Sequence, residues 1–559
     1  MTNLDWIVML GTLFSIVFYG VYKSRINKNL KDYLKGGSSA GWATIGLSVM
    51  ATQASAITFL STPGQAFESG MGFVQFYFGL PIAMVIICVT VIPIFYRLKV
   101  YTAYEFLEQR FDLKTRLLAA FLFLVQRGLA AGITIYAPSI ILSTILGWEL
   151  QLTILAVGCV VVFYTVSGGT KAVSLTQKWQ MAIIMGGMFL AFGILINYIL
   201  NDISLRDAFN LASLNGKMQV VNFDFDINNR YTFWSGITGG LFLMLSYFGT
   251  DQSQVQRYLS GASIQESRLG LLFNGLMKVP MQFFILLLGV MLFVFYQLNP
   301  APIHFNTTAA EDLANSEYAT KAEDLRSNFN TLQDLKFETI KEIAAADAFE
   351  DPVKVARIQD INEEQAELKT AYNELMLVQH EDADVKDSDF VFLTFILNYL
   401  PRGVVGLLIA VILSAAMSST AGELNALGTT TTIDFYKRLS KKERSDGKQV
   451  SMSKLFTVIW GVFAIAFALY AQLVDNLIEA VNILGSLFYG TILGIFVVAF
   501  FFKRVGSQGV FYAAIVSELV VISCYFSTDI GFLWYNVIGC SLVILLSLLF
   551  PKQAIRPSV

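Results

Sequence analysis

About thirteen stretches of this chain are long and apolar enough to cross a lipid bilayer, and no other feature limits its fold so strongly. A spanning helix needs about 20 mostly apolar residues. Such runs lie near 5–23, 42–67, 71–97, 117–147, 150–168, 172–201, 232–260, 267–298, 402–437, 453–473, 476–502, 509–527 and 530–550. The composition agrees, with 55% hydrophobic and only 14% charged residues, against about 25% charged in soluble proteins. The first run has no basic segment before it and no small-residue cleavage site, and Lys23, Arg25 and Lys28 follow it. It therefore reads as a span and not as a signal peptide.

Lysine and arginine collect in short cytoplasmic loops of membrane proteins. Here they cluster at Lys23, Arg25, Lys28, Lys31 and Lys35, at Arg97, Lys99, Arg110, Lys114 and Arg116, and at Lys437, Arg438, Lys441, Lys442, Arg444, Lys448 and Lys454. An N-terminus outside the cell puts all three groups in the cytoplasm, and thirteen spans put the C-terminus there too. The expected location is the cell membrane, the inner one where a cell has two.

Residues 299–392 do not belong in lipid, being rich in Ala, Glu, Asp, Lys and Asn. Ala319 to Ile340 and Val353 to Leu377 read as the two helices of an extracytoplasmic hairpin, dispensable for transport and open to an extracytoplasmic partner. Both histidines, His304 and His380, lie in this insertion, so no span can use histidine as a proton relay. The net charge of -3 and the lack of a basic domain give no sign of nucleic-acid binding. Cys88, Cys159, Cys524 and Cys540 sit in apolar runs without metal or disulfide spacing and read as packing residues. No nucleophile–base pair, metal-ligand cluster or phosphate-binding glycine loop suggests an enzyme.

Two spans carry polar patches. In 42–67, Ala51-Thr52-Gln53-Ala54-Ser55-Ala56-Ile57-Thr58 precedes Ser61-Thr62-Pro63-Gly64. Pro and Gly free backbone carbonyls, which lipid tolerates only where they line a cavity. Unwound helices at mid-membrane are how many transporters build ion and substrate sites. In 402–437 the patch is Ser414-Ala415-Ala416-Met417-Ser418-Ser419-Thr420-Ala421-Gly422-Glu423-Leu424-Asn425. Hydroxyls and freed carbonyls are the oxygen ligands a hard cation such as sodium prefers. Each patch alone also fits close helix–helix packing.

Several ordered segments resemble the sodium:solute symporter family. They are Ser55 to Leu60 with Thr62-Pro63-Gly64, Thr102 to Phe111, Ile135-Tyr136-Ala137-Pro138, Gly249-Thr250-Asp251-Gln252 with Val255-Gln256-Arg257-Tyr258, and Ile433 to Lys437. Asp32-Tyr33-Leu34 is a weaker match. Within the family the chain looks most like the branch of iodide, monocarboxylate and multivitamin symporters, and residues 299–392 fall outside the resemblance.

The resemblance implies an all-α membrane protein with the five-plus-five inverted repeat of LeuT. A leading helix and loop would occupy 1–41, the first repeat 42–201, the second repeat 202–502, and two trailing helices with a tail 503–559. It places a sodium ion on the carbonyls of Ala51, Ala54 and Ala415 and the hydroxyls of Ser418 and Ser419. The substrate is expected against Gln53, Ser55, Thr58, Tyr77, Arg127, Tyr247 and Lys278.

The chain also departs from the family. Sugar-gripping positions fall on Thr58, Tyr77, Met244 and Gly485, with only Lys278 kept, which argues against a hexose. An arginine used by carriers of anions would align nearer Ala130 than Arg127, so a carboxylate ligand and a structural ion pair both stay open for Arg127. The family's sodium-supporting aspartate is Gln177 here, beside Lys178, and two hydroxyls of a second sodium site fall on Ala421 and Gly422. A buried pair between Lys178 and Glu423 is expected instead. The function implied is one-sodium symport, by alternating access, of a small anion or polar metabolite. Proton-coupled or cation-independent transport, and a sensor built on a transporter fold, are the alternatives.

Overall fold

A backbone in lipid must pair its own N–H and C=O groups, and helices do this within one segment. The computed structural model describes residues 1–24, 38–380, 385, 387–440, 445–470 and 477–550. Arg25, Lys28, Lys31, Lys35, Lys441, Lys442, Arg444 and the Asp32-Tyr33-Leu34 stretch lie outside the described residues. The described chain is all-helical, with eight helices long and apolar enough to cross a membrane and five shorter apolar ones.

The principal helices are α1 (Asn3–Ser24), α2 (Trp42–Gln53), α3 (Ala56–Ser69), α4 (Leu113–Leu146), α5 (Leu150–Leu200), α6 (Leu241–Gly249), α7 (Gln252–Tyr258) and α8 (Ile264–Leu298). They continue as α9 (Ala319–Ala345), α10 (Pro352–Gln379), α11 (Ser388–Tyr399), α12 (Val404–Thr430), α13 (Asp446–Tyr470), α14 (Leu477–Phe501), α15 (Ser507–Ser527) and α16 (Leu533–Leu549). One expectation needs correction: residues 150–168 and 172–201 are not separate helices but parts of α5, 51 residues long. At 1.5 Å per residue such a helix measures about 77 Å, against a hydrocarbon core of about 30 Å. Its two apolar stretches, Leu150–Val166 and Thr176–Leu200, therefore cannot share one straight crossing.

Three of the family-like segments meet at one end of the bundle. Arg116 bridges Glu108 at 2.8 Å and Asp434 at 2.6 Å, while Thr102 Oγ1 donates to Asp434 at 2.8 Å. Arg438 Nε donates to Glu108 at 2.6 Å. Gln252 accepts from the Ala103 N–H and donates to the Tyr101 carbonyl. Sequences around 102, 252 and 434 thus form one buried polar joint.

The insertion sits at the other end and is not a loose appendage. Its helices α9 and α10 form the expected hairpin, and Ile340, Ile343, Phe349 and Ile358 join the main hydrophobic core. Lys341 pairs with Asp202 at 3.0 Å, and Lys369 with Asp387 at 2.9 Å. Asp387 precedes α11, which lies tight on α3: a Cβ on Gly64 would stand 1.9 Å from the Ser388 carbonyl oxygen. His304 is buried with its ring nitrogens near the carbonyls of Asn306 and Val385, and this burial pushes its pKa below the usual histidine value.

The leading helix is fastened to α12. Asp5 is buried, and its Oδ1 accepts from the Gly403 N–H at 2.6 Å and the Gly406 N–H at 3.4 Å, capping a helix start that has no side-chain cap of its own. Gly403 has a φ of 87°, a conformation that favours glycine. Loss of an N-cap typically costs about 1 kcal/mol. Asp5→Ala should lower unfolding stability by roughly that amount in a thermal or denaturant melt of the purified protein. An unchanged midpoint would show that the cap carries no energy.

Candidate functional site

The polar run 51–58 breaks its helix where the sequence indicated. α2 ends at Gln53, Ala54 has φ -86° and ψ 76°, and Ser55 is extended before α3 begins at Ala56. Carbonyls in the last turn of α2, Ala51 among them, thereby lose their regular donors. The C-terminal end of α2 carries partial negative charge and the N-terminal end of α3 partial positive charge, each about half an elementary charge. One break therefore offers a seat for a cation and a seat for an anion.

α12 packs against both halves of this broken helix. Ala51, Ala54, Ala415, Ser418 and Ser419 are all buried. Ser419 Oγ donates to the Ala415 and Ala416 carbonyls at 3.1 Å, within its own helix. Ser418 Oγ is buried with no hydrogen-bond partner among the described residues. A buried hydroxyl oxygen without a hydrogen-bond partner is a type of oxygen that a hard cation can take as a ligand.

A second break was not foreseen: the run 232–260 divides into α6 and α7 around Thr250 and Asp251. Asp251 caps α7, its Oδ1 accepting from the Ser253 N–H at 2.8 Å and from Ser253 Oγ at 2.6 Å. The signal was present in Gly249-Thr250-Asp251-Gln252, a glycine followed by a capping residue.

Between the breaks lies a cavity. Of the seven expected substrate residues, Gln53, Ser55, Thr58, Tyr77, Arg127 and Tyr247 line it, together with Met244 and Gly485. Lys278 does not. It is fully buried behind the cavity wall, its Nζ 5.7 Å from the centre of the Tyr77 ring and without a hydrogen-bond partner among the described residues. Gln126, Glu423, Asn482 and Tyr489 are further lining residues that the sequence reading did not assign to the substrate.

Arg127 organises the cavity floor. Its Nε donates to Asp251 Oδ2 at 3.1 Å and its Nη1 to Glu423 Oε1 at 3.0 Å. Its Nη2 reaches both Asp251 and Tyr489, and the Tyr489 hydroxyl donates to Asp251 Oδ2 at 2.7 Å. All three charges are at most 6% exposed. The guanidinium is thus committed to two protein carboxylates, the ion-pair reading of the two left open.

This geometry overturns the expected Lys178–Glu423 pair. Glu423 is held by Arg127, whereas Lys178 is half-buried beside the Trp179 ring. The physical reason is reach: Arg127 projects from α4 into the same cavity as Glu423. Gln177, at the aspartate position, accepts from Ser48 Oγ at 2.5 Å and donates to Thr52 Oγ1 at 3.1 Å. It ties α5 to α2 without charge.

Comparison with known proteins agrees with this architecture. The sodium:solute symporter family matches residues 33–322 and 372–517. The match therefore reaches into both ends of the insertion and omits its middle. The sodium/sialic acid symporter SiaT of Proteus mirabilis (strain HI4320) is 27% identical over 553 residues, covering 97% of this chain and 93% of that one. Sodium-coupled monocarboxylate transporter 1 of Mus musculus is 36% identical over 275 residues, 48% of this chain and 44% of that relative. A solved structure of a Na+-coupled sialic acid symporter in a substrate-bound outward-open state shares the fold, with a TM-score of 0.77, 24% identity and 99% of both chains covered. The family match spans most of the chain, and this protein belongs to the sodium:solute symporter family.

Proposed function

We propose that this protein uses sodium to drive uptake of a small anion or polar metabolite, and that it is a transporter and not an enzyme. Sodium is the coupling ion of its family. The observations that carry the site assignment are the helix break at Ala54–Ser55 and the unpartnered Ser418 hydroxyl on α12, a helix that packs against both halves of the break. The ion sits on the carbonyls of Ala51, Ala54 and Ala415 and the hydroxyls of Ser418 and Ser419. Occupying that site orders the break and so pre-forms the substrate seat.

The solute's charged or polar head lies at the start of α3, where Ser55 and Thr58 line the cavity and the helix end carries partial positive charge. Its body rests on Leu243, Met244 and Tyr247. Relatives named for sialic acid and for monocarboxylates make an organic acid the first class to test. The paired breaks, α2/α3 and α6/α7, support a five-plus-five inverted repeat within about thirteen spans, because such repeats place discontinuous helices at equivalent positions. We place the N-terminus and the insertion outside the cell membrane and the joint around Asp434 in the cytoplasm, on the distribution of basic residues.

A thermal-shift screen of the purified protein against sialic acid, short monocarboxylates, sugars and vitamins tests the reading in sodium and in choline buffers. An acid that stabilises the protein in sodium but not in choline is the expected result. Equal stabilisation in both buffers would contradict sodium coupling.

A further inference from the structure

A second hollow shares no lining residue with the cavity between the helix breaks. It lies where α4 and α13 converge with the π-helical turn Thr431–Tyr436 that follows α12. Phe121 and Leu124 of α4, Phe435 and Tyr436 of the turn, and Phe456 and Trp460 of α13 line this groove, whose volume is about 600 Å³. Small-molecule sites usually enclose about 300–1,000 Å³. The groove opens outward: Phe121 is 55% exposed, and Leu439, which also lines it, is 57% exposed. Ile459 and Val462, beside Trp460 on α13, are exposed as well, as expected of a face turned to lipid.

The walls of the groove are fixed. Trp460 Nε1 donates to Thr431 Oγ1 at 2.9 Å, and a Cβ on Gly128 of α4 would stand 2.6 Å from the Trp460 ring. Tyr436 meets Phe456 edge to face, with ring centroids 5.8 Å apart. Every spanning helix shows apolar side chains to lipid. Here they form a hollow, in which a chain of methylene groups gains dispersion contacts on several sides at once. One end of the groove is basic. It runs from Thr431, inside the span, to Ser440, where the helix ends. Between 437 and 454 the sequence holds seven Lys and Arg residues against two Asp and Glu. Lys437 directly follows the lining residue Tyr436 and is exposed. Lys114, also exposed, stands seven residues before Phe121, on the same face of α4 and about two turns nearer its cytoplasmic start. Arg438 is already bonded to Glu108.

We propose that this groove holds an acyl chain of an anionic phospholipid of the cytoplasmic leaflet, with the headgroup at the basic end beside Lys437. The assignment rests on the placement of this end of the bundle in the cytoplasm, but not on the sodium site or on the solute. Basic residues next to spanning helices attract the anionic lipids of that leaflet. The groove also adjoins the polar joint. Phe435 and Tyr436 directly follow Asp434, which Arg116 and Thr102 hold. A lipid seated here packs against the turn that carries Asp434.

The test uses purified full-length protein in phosphatidylcholine nanodiscs that contain increasing phosphatidylglycerol, with dibrominated acyl chains on one lipid at a time. Bromine quenches a tryptophan that it touches, and Trp460→Phe identifies the share of the fluorescence that comes from the groove. Brominated phosphatidylglycerol should quench that share at about tenfold lower mole fraction than brominated phosphatidylcholine. Lys437→Gln with Lys114→Gln, which changes two exposed side chains and should fold, should remove the preference, each basic residue near the surface contributing about 1 kcal/mol. If Trp460→Phe does not fold, melting temperatures decide: phosphatidylglycerol should raise that of the wild type and not that of the lysine pair. Equal effects of the two lipids on the wild type, or an unchanged preference in the lysine pair, would overturn the proposal. So would a Trp460 share that neither lipid quenches, the result expected if a second copy of the chain covers the groove. Neither readout depends on sodium, so failure here and failure of the sodium reading are separately visible.

Discussion

Arg127→Met should cost about 3–5 kcal/mol of stability, because it leaves two carboxylates buried without their cation. Asp251 would keep only Tyr489 as donor to Oδ2, and Glu423 would lose the donor to Oε1. Adding Glu423→Gln to the same chain should recover part of the loss, since one uncompensated charge is removed. Contacting residues couple by roughly 0.5–3 kcal/mol in such cycles. Arg127→Lys should rescue poorly, because a lysine lacks the planar fork that reaches Asp251, Glu423 and Tyr489 together. Denaturant or thermal unfolding in detergent reads all four proteins. Strict additivity of the two changes would mean that the pair carries no coupling. Lys178→Met, by contrast, should be close to neutral, since Glu423 is held by Arg127.

The second large effect is expected on sodium and not on folding. In Ser418→Ala with Ser419→Ala, the first change removes a hydroxyl that has no partner among the described residues. The second removes one bonded only to carbonyls of its own helix. Neither should orphan another group, so the fold should persist. Each lost contact to a charged ion is worth roughly 1.5–3 kcal/mol. Since 1.4 kcal/mol is a factor of ten, the half-saturating sodium concentration for uptake should rise at least about tenfold. Uptake with unchanged sodium dependence would remove these hydroxyls from the site.

The helices and the first break were legible because each has a strong local cause. An apolar run of span length has one solution in lipid, and a polar stretch holding Gln53, Ser55 and Thr58 within such a run has few places to go but a cavity. The likeness carried Ser418 and Ser419 onto a helix that does pack against that break. Pairing was less legible. Glu423 has two basic residues within plausible reach in the sequence, Lys178 and Arg127, and only the crossing of α4 and α12 decides between them. The Asp251 break was announced by its glycine and its capping side chain but was hidden inside an otherwise continuous apolar run. Lys278 was placed among the substrate residues by position, yet Tyr77 stands between it and the cavity. The middle of the insertion has the helices its composition promised, while its attachment through Ile340, Ile343 and Ile358 depends on surfaces far away in sequence. That attachment means replacement of residues 305–388 by a short linker would uncover apolar surface as well as remove the hairpin.

Equilibrium binding of radiolabelled sodium to the purified protein tests the central claim most directly, because it needs no knowledge of the solute. Wild-type protein should bind sodium saturably, and Ser418→Ala with Ser419→Ala should bind it at least about tenfold more weakly while melting as a folded protein. Absence of saturable binding to folded wild-type protein, or equal affinity in the double variant, would contradict the account.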